Sequence, residues 1–255
     1  VSLQEVARLV EGAWERARRE AYGPGEFVDQ HGFMRAGEIL ALATRAGVDP
    51  WTRVLDLCCG PGGPGRLVVQ ERGCAYLGVD ASPAVVELAR AQGERLGLRH
   101  DVLRVPPLPP GPFDVVLLLE TMLAFRDKET LLRQVRDALA PGGRFALTAE
   151  VGLPLTPAER AAMPAPDTVW PVLLTDLLEL LEHVGLEVTW TEEVSAAHLG
   201  VVEALLARFT ADEARIAAQV GRDVMDDVLT AHRLWQDWLL SGRVRKYALV
   251  ARRPA

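Results

Sequence analysis

A chain of 255 residues that is 49% apolar can bury the core of one large domain, or of one domain with a smaller appendage. Its formal charge is −7, and the arginines that make up all but two of its 28 basic residues sit among acids, which argues against nucleic acid as a partner because that binding rests on clustered cations. No apolar run is long enough to span a membrane, and the opening VSLQEVARLVEGAWERARRE is a charged amphipathic pattern without a signal-peptide core, so a cytoplasmic protein with no membrane partner is expected.

Residues 3–20 read as a helix that AYGPGEF breaks, and residues 33–46, FMRAGEILALATRA, carry helical spacing up to Gly47. After Pro50 strands and helices alternate. TRVLDLC is a buried strand, PGRLVVQERG a helix and AYLGVD a second strand; SPAVVELARAQGERLG is a helix opened by Ser82 with Pro83 at its first position. HDVLRV and PFDVVLLLE follow as strands three and four, KETLLRQVRDALA as a helix, PGG as a turn and RFALTAEV as strand five. This alternation, with continuous apolar strands, predicts an α/β fold with a parallel sheet covered on both faces. TDLLELLEHVGLEVTWTEE adds a helix and a strand. Residues 195–240 are helical in pattern, and SGRVRKYALVARR supplies the last strand. A helical insertion between the last two strands is the simplest reading.

The three cysteines suggest neither disulfide nor metal. Cys58 and Cys59 are neighbours whose side chains point to opposite faces, and no Cys-x-x-Cys or paired histidines accompany Cys74. The first strand instead runs into VLDLCCGPGGPG, a turn at the carboxyl end of a strand, where α/β sheets bind ligands. Gly60, Gly62 and Gly65 match the dinucleotide fingerprint, and Asp80 ends the second strand where an acid can bind both hydroxyls of a ribose. Pro61 and Pro64 have no N–H for a pyrophosphate, and Asp56 adds charge that repels one. A cationic, phosphate-free nucleoside such as S-adenosylmethionine fits better.

VLDLCCGPGGPG, GVDASP, PFDVVLLLE and ALAPGGRFALT, in this order over residues 52–149, resemble the motif set of class I S-adenosylmethionine-dependent methyltransferases. The resemblance implies a Rossmann-like seven-stranded sheet with an antiparallel last strand and S-adenosylmethionine as cofactor. It implies that Asp56, Gly60 and Gly62 shape the methionine side, that Asp80 holds the ribose, and that Ala81 and Ser82 lie beside the adenosine. Asp101 or Val105 stands where the family places an adenine contact. Cys58 occupies a position where the family commonly has glycine.

The segment LLLETMLAFRDKETLL, with Leu119 and Met122 flanking Glu120, is similar to the E-S-L-H-H-M-x-D pattern of small-molecule methyltransferases related to the rebeccamycin sugar O-methyltransferase and the sarcosine/dimethylglycine N-methyltransferases. Glu120 and Asp127 align with the acids, while Leu123 and Ala124 replace the histidines, which favours a nitrogen or electron-rich carbon acceptor over an alcohol. Glu120 is a candidate to touch cofactor or a cationic substrate. Tyr22 and His31 lie in YGPGEFVDQHGFM, which resembles the group's lid; Phe27, Gln30, Phe33 and Met34 would line the pocket there. His232, Trp235 and Trp238 share one helical face in AHRLWQDWLL, either as core or as an aromatic grip on a planar substrate. His31, His198 and His232 are the candidate bases of an O-methylating alternative. Outside the class stand a non-catalytic S-adenosylmethionine-binding protein and a nicotinamide oxidoreductase. The expected organisation is a lid over residues 1–50, a cofactor-binding core over 51–194, a substrate cap over 195–240 and a closing strand over 241–255, in a monomer or homodimer acting on a small molecule.

Overall fold

The computed structural model describes residues 12–102 and 108–255. Seven strands, β1 Arg53–Leu57, β2 Ala75–Asp80, β3 Arg99–Val102, β4 Phe113–Leu118, β5 Leu139–Val151, β6 Glu187–Glu193 and β7 Arg245–Arg252, form one sheet in the order β3-β2-β1-β4-β5-β7-β6. The first five pair in parallel, and β7 runs antiparallel to both β5 and β6. Strand order reverses between β1 and β4, so the crevice beyond their carboxyl ends is where this topology offers a ligand site.

The helices, in chain order, are α1 Ala13–Tyr22, α2 Ala36–Arg45, α3 Gly63–Arg72, α4 Pro83–Gly93, α5 Lys128–Ala138, α6 Pro157–Ala162, α7 Leu174–His183, α8 Ser195–Ala211, α9 Glu213–Val220 and α10 Arg222–Ser241. Leucines and valines of α5 and α7 pack on one sheet face around Leu55, Val116 and Phe145. On the other face α2 and α3 pack around Val54, Val115, Ala146 and Val250. As read from the sequence, the Ser82 hydroxyl caps α4 by accepting from the Val85 N–H, with Pro83 next in line.

Three features differ from the sequence reading. PGG does not separate α5 from β5 but lies inside β5, where pairing with β4 jumps from Leu139 to Arg144. Gly142, at φ 78°, makes the bend, and its N–H donates to the Arg253 carbonyl, so the chain's last residues hold the irregular stretch in the sheet. Residues 12–50 also divide between two partners. Helix α1 shares a hydrophobic cluster with α8, α9 and α10 through Ala17, Tyr22, Leu205, Phe209 and Met225, whereas α2 belongs to the sheet. Residues 23–35 cross from one to the other as a strap. Finally, residues 152–173, to which the sequence reading assigned nothing, carry α6 and a 3-10 turn beneath the end of α10. Among the described residues no helix is long and apolar enough to cross a membrane.

Candidate active site

The strap, the turn after β1, the segment after β4 and the cap enclose a cavity of about 330 Å³. The turn after β1 is bound to β2 by its backbone: the Cys59 N–H donates to the Val79 carbonyl, and the Gly60 N–H donates to Asp80 Oδ2 at 3.1 Å. Asp80 Oδ1 accepts from the Ser82 N–H at 2.9 Å, so one carboxylate fixes both loops. Cys58 holds φ 56°, a left-handed conformation in which a glycine avoids the Cβ clash, and this accounts for the family's usual residue there. Burial, then the charges of Asp80 and Asp56, push the Cys58 thiol up to about 12, which leaves it protonated and unreactive. Asp56 is buried and accepts from the Tyr76 hydroxyl at 2.6 Å; burial pushes its carboxyl up to about 7. Gly65 makes that pair possible, because a Cβ there would stand 2.1 Å from the Tyr76 hydroxyl.

The opposite wall is a polar cluster in the sheet. Glu150 on β5 and Lys246 on β7 are direct cross-strand partners, with Lys246 Nζ donating to Glu150 Oε1 at 3.0 Å. The same ammonium donates to Glu120 Oε1. Glu120, at φ 63° two residues past β4, also accepts from the Thr148 hydroxyl at 3.2 Å and from the Phe33 N–H at 3.0 Å, which pins the strap to the sheet. His198 of α8 completes the cluster, with Nδ1 4.0 Å from Glu120 Oε2 and Nε2 4.0 Å from Glu150 Oε1. Burial, together with the Lys246 charge and against that of Glu120, lowers His198 to about 3, so its ring is neutral at pH 7. Burial alone would raise Glu120, but the charge and hydrogen bond of Lys246, with the Phe33 N–H, outweigh it and hold the carboxyl below its ordinary value. Glu150 Oε2 and His198 Nε2 are buried without a hydrogen-bond partner among the described residues.

Of the residues singled out in the sequence, Asp56, Cys58, Gly60, Leu119, Glu120, Gln30, His31, Phe33, His198 and Trp235 line this cavity. Asp80, Ala81, Ser82 and Gly62 stand just behind its Gly-rich edge, as turn, cap and helix start. Met34 and Phe33 line a second cavity of about 340 Å³ beyond the wall that His198 and Lys246 form. Others lie apart from both. Tyr22 is buried between α1 and the cap, its hydroxyl donating to the Gly32 carbonyl and its ring against Phe27. His232 holds Nδ1 2.7 Å from the Val228 carbonyl and packs against Phe33 and Phe209. Met122 is core, Trp238 packs edge-on to Trp235, and Asp127 caps α5 by accepting from the Thr130 N–H. Asp101 lies on β3 beside Val79, with its side chain outside the description, and Val105 lies outside the described residues.

The sequence reading missed Glu150, Lys246 and Thr148. Their signal was present: FALTAEV and RKYALV are apolar strands that each place a charge among inward-facing residues. It also missed Thr168 and Val169, which reach the cavity from the 3-10 turn.

A family model described as a methyltransferase domain matches residues 55–145, from β1 into β5. The chain is 26% identical over 214 residues to phosphoethanolamine N-methyltransferase of Triticum aestivum, which covers 82% of this chain and 42% of that one. It is 32% identical over 111 residues to sterol 24-C-methyltransferase ERG6B of Gibberella zeae, covering 41% of this chain, and it spans only 29% of that protein's length. Among solved structures, the [4+2]-cyclase SpnF superposes with a TM-score of 0.77 over 100% of this chain and 98% of its own, at 20% identity. Residues 55–145 thus carry a methyltransferase domain, and the chain as a whole has the class I methyltransferase fold.

The cavity suits the cofactor of that family. Its lining includes the carboxylates of Asp56, Glu120 and Glu150 and no lysine or arginine among the described residues, a set that favours a sulfonium over a pyrophosphate. Gly60, at φ 57°, leaves open space where a Cβ would stand, and Pro61 and Pro64 border the same space without an N–H to offer phosphate. In this methyltransferase domain Asp56, Cys58, Gly60 and Glu120 would surround the methionine end, and Asp80 would receive the ribose hydroxyls on lone pairs that its two backbone donors leave free.

Proposed function

We propose that the protein transfers a methyl group from S-adenosylmethionine to a small molecule whose nucleophile is an amine or an aromatic, indole-like nitrogen or carbon. The observation that supports this is the acid-lined cavity beside the Gly-rich turn, bordered by Phe33 and His31 of the strap and Trp235 of the cap. Bound S-adenosylmethionine supplies an electrophilic methyl group on a sulfonium. The protein's part is to hold the ribose at Asp80, to keep water out with the strap, and to align the acceptor in a dry pocket. Leu123 and Ala124 line the cavity at the positions where the sugar O-methylating relatives carry histidine, so an alcohol would lack its base there. The N-methyltransferase relative from wheat fits the same preference.

A second reading, O-methylation, is favoured by one observation: the neutral imidazole of His198 stands in the cavity with an unengaged nitrogen. Incubation with S-adenosylmethionine labelled at its methyl group and a compound library tests both, with label expected on nitrogen or carbon of the product. Label found on oxygen selects the second reading. Binding of S-adenosylhomocysteine without transfer to any compound would select a non-catalytic S-adenosylmethionine-binding protein, and calorimetric binding of NADH in preference to S-adenosylhomocysteine would sink both readings. Asp80→Ala should weaken S-adenosylhomocysteine at least 10-fold, on the order of one lost charge-assisted hydrogen bond, in the same calorimeter.

A further inference from the structure

Two buried polar atoms of cavity-lining residues have no hydrogen-bond partner among the described residues; with its ring proton on Nδ1, the nitrogen 4.0 Å from Glu120 Oε2, His198 offers Nε2 as an acceptor. Glu150 is 5% exposed and His198 3% exposed, both line the cavity, and Glu150 Oε2 and His198 Nε2 have no partner among the described residues. Leaving such atoms dry and unpaired costs free energy that a bound donor recovers. Their neighbours are accounted for: Lys246 Nζ takes Oε1 of both Glu150 and Glu120, and Thr148 and the Phe33 N–H take the rest of Glu120. We propose that Glu150 Oε2 and His198 Nε2 form an acceptor pair that receives two N–H bonds of an amino group on the methyl acceptor; this rests on the methyltransferase reading above.

Geometry, donor count and charge each support an amino group. The ligand atoms of Glu120, Glu150 and His198 lie within 4.8 Å of one another. Two acceptors that each sit about 2.9 Å from one tetrahedral nitrogen stand about 4.7 Å apart, and His198 Nε2 lies 4.0 Å from Oε1 of the same Glu150 carboxylate. An alcohol brings one O–H and would leave one acceptor unpaired, whereas a primary amine brings two N–H bonds and keeps its lone pair clear of both contacts. Against the two carboxylates stands the single ammonium of Lys246, so the cluster carries one net negative charge when His198 is neutral. That charge stabilises the positive charge that grows on nitrogen as the lone pair forms the new bond to the methyl carbon. The pair of the breaking bond stays on sulfur, both N–H hydrogens stay on nitrogen, and Glu150 ends beside an ammonium. A divalent cation fits less well. Lys246 already bridges both Oε1 atoms, which leaves one carboxylate oxygen and one imidazole nitrogen, short of the four donors of zinc or the six of magnesium.

The experiment titrates benzylamine, N,N-dimethylbenzylamine and benzyl alcohol into the S-adenosylhomocysteine-bound protein by calorimetry. Benzylamine is expected to bind best, with each of the others about 10-fold weaker or more, the effect of losing one charge-assisted hydrogen bond. Glu150→Gln turns the acceptor into a donor while keeping an oxygen for Lys246, and should weaken benzylamine about 10- to 100-fold with little change for benzyl alcohol. His198→Leu should weaken benzylamine and His198→Gln restore part of it. In ¹⁵N spectra of histidine-labelled protein, the His198 Nε2 signal should move on adding benzylamine. Equal binding of the three probes, or benzylamine affinity within twofold of wild type in both Glu150→Gln and His198→Leu, would overturn the proposal. So would stoichiometric Mg²⁺ or Zn²⁺ binding that the same variants abolish. If the wild type failed to bind S-adenosylhomocysteine, the methyltransferase reading itself would fall; if it binds and the amine probes do not discriminate, only the acceptor pair falls.

Discussion

Among the described residues three other than glycine hold a left-handed backbone, Asp29, Cys58 and Glu120; Cys58 and Glu120 line the cavity, and Asp29 directly precedes its lining residue Gln30. Each such conformation costs about 1–2 kcal/mol and persists only where the surroundings hold it, a cost characteristic of functional sites. For Glu120 the restraint is visible in Lys246, Thr148 and the Phe33 N–H. Lys246 is 1% exposed, and removing it leaves two buried carboxylates facing each other. Lys246→Met should therefore lower unfolding stability by about 3–5 kcal/mol, and Lys246→Met combined with Glu150→Gln by less than the single change, both read from urea denaturation. The Gly-rich edge of the cavity was legible because Asp56, Cys58 and Gly60 are contiguous in the chain and the parallel pairing of β1 with β2 brings Asp80 beside them. The sheet wall was not, because Glu120 after β4, Glu150 on β5 and Lys246 on β7 are far apart in the chain and meet only through the order and register of the strands. One clue lay in composition. The chain uses lysine twice, at Lys128 and Lys246, and both are buried.

At the scale of elements, the strap over residues 23–35 joins the cap to the cofactor turn. Arg18 of α1 donates to the Gln30 carbonyl, Tyr22 to the Gly32 carbonyl, and Arg66 of α3 pairs with Asp29 at 3.2 Å. The closest approach is at Gly63, where a Cβ would fall 1.4 Å from the Val28 carbonyl oxygen, so the strap lies directly on the start of α3. Gly63→Ala must push the strap off the turn. The expected result is weaker binding of S-adenosylhomocysteine, a loss of about 1–3 kcal/mol in stability, and faster proteolysis within residues 23–35 than in wild type. Wild-type proteolysis and affinity in that variant would show that the strap and turn are not in register. Hydrophobic periodicity located the helices on either side of the strap, but the strap has no period of its own. Its polar and glycine residues find their hydrogen-bond partners in α1, α3 and the segment after β4, of which only α1 is near in sequence.

At the scale of the whole molecule, the antiparallel return of β7 is what places a cation opposite Glu150, and the helices between β6 and β7 bring His198 down onto that pair. The site thus draws on β1, β4, β5, β7, the strap and α8, and two of its buried titratable groups respond to pH with opposite signs. His198 is lowered from its ordinary 6.5 to about 3 by burial, then Lys246, with Glu120 opposing. Below pH 6.5 the unfolded chain therefore binds a proton there that the folded chain refuses, and stability is lost as pH falls toward 3. Asp56 is raised from 3.8 to about 7 by burial, with the Tyr76 hydroxyl opposing and Asp80 adding to it. Between pH 7 and 3.8 the folded chain holds the extra proton, so this group stabilises the fold as pH falls and loses that contribution as pH rises through 7. In wild type the two slopes largely cancel from pH 6.5 to 4, and single variants separate them. His198→Gln should gain on wild type by about 1.4 kcal/mol for each pH unit below 6.5, and Asp56→Asn should fall behind by a similar slope below 7. Urea midpoints at pH 7, 6 and 5 decide the matter: parallel curves for wild type and both variants would mean that neither group is held away from its ordinary titration by the fold.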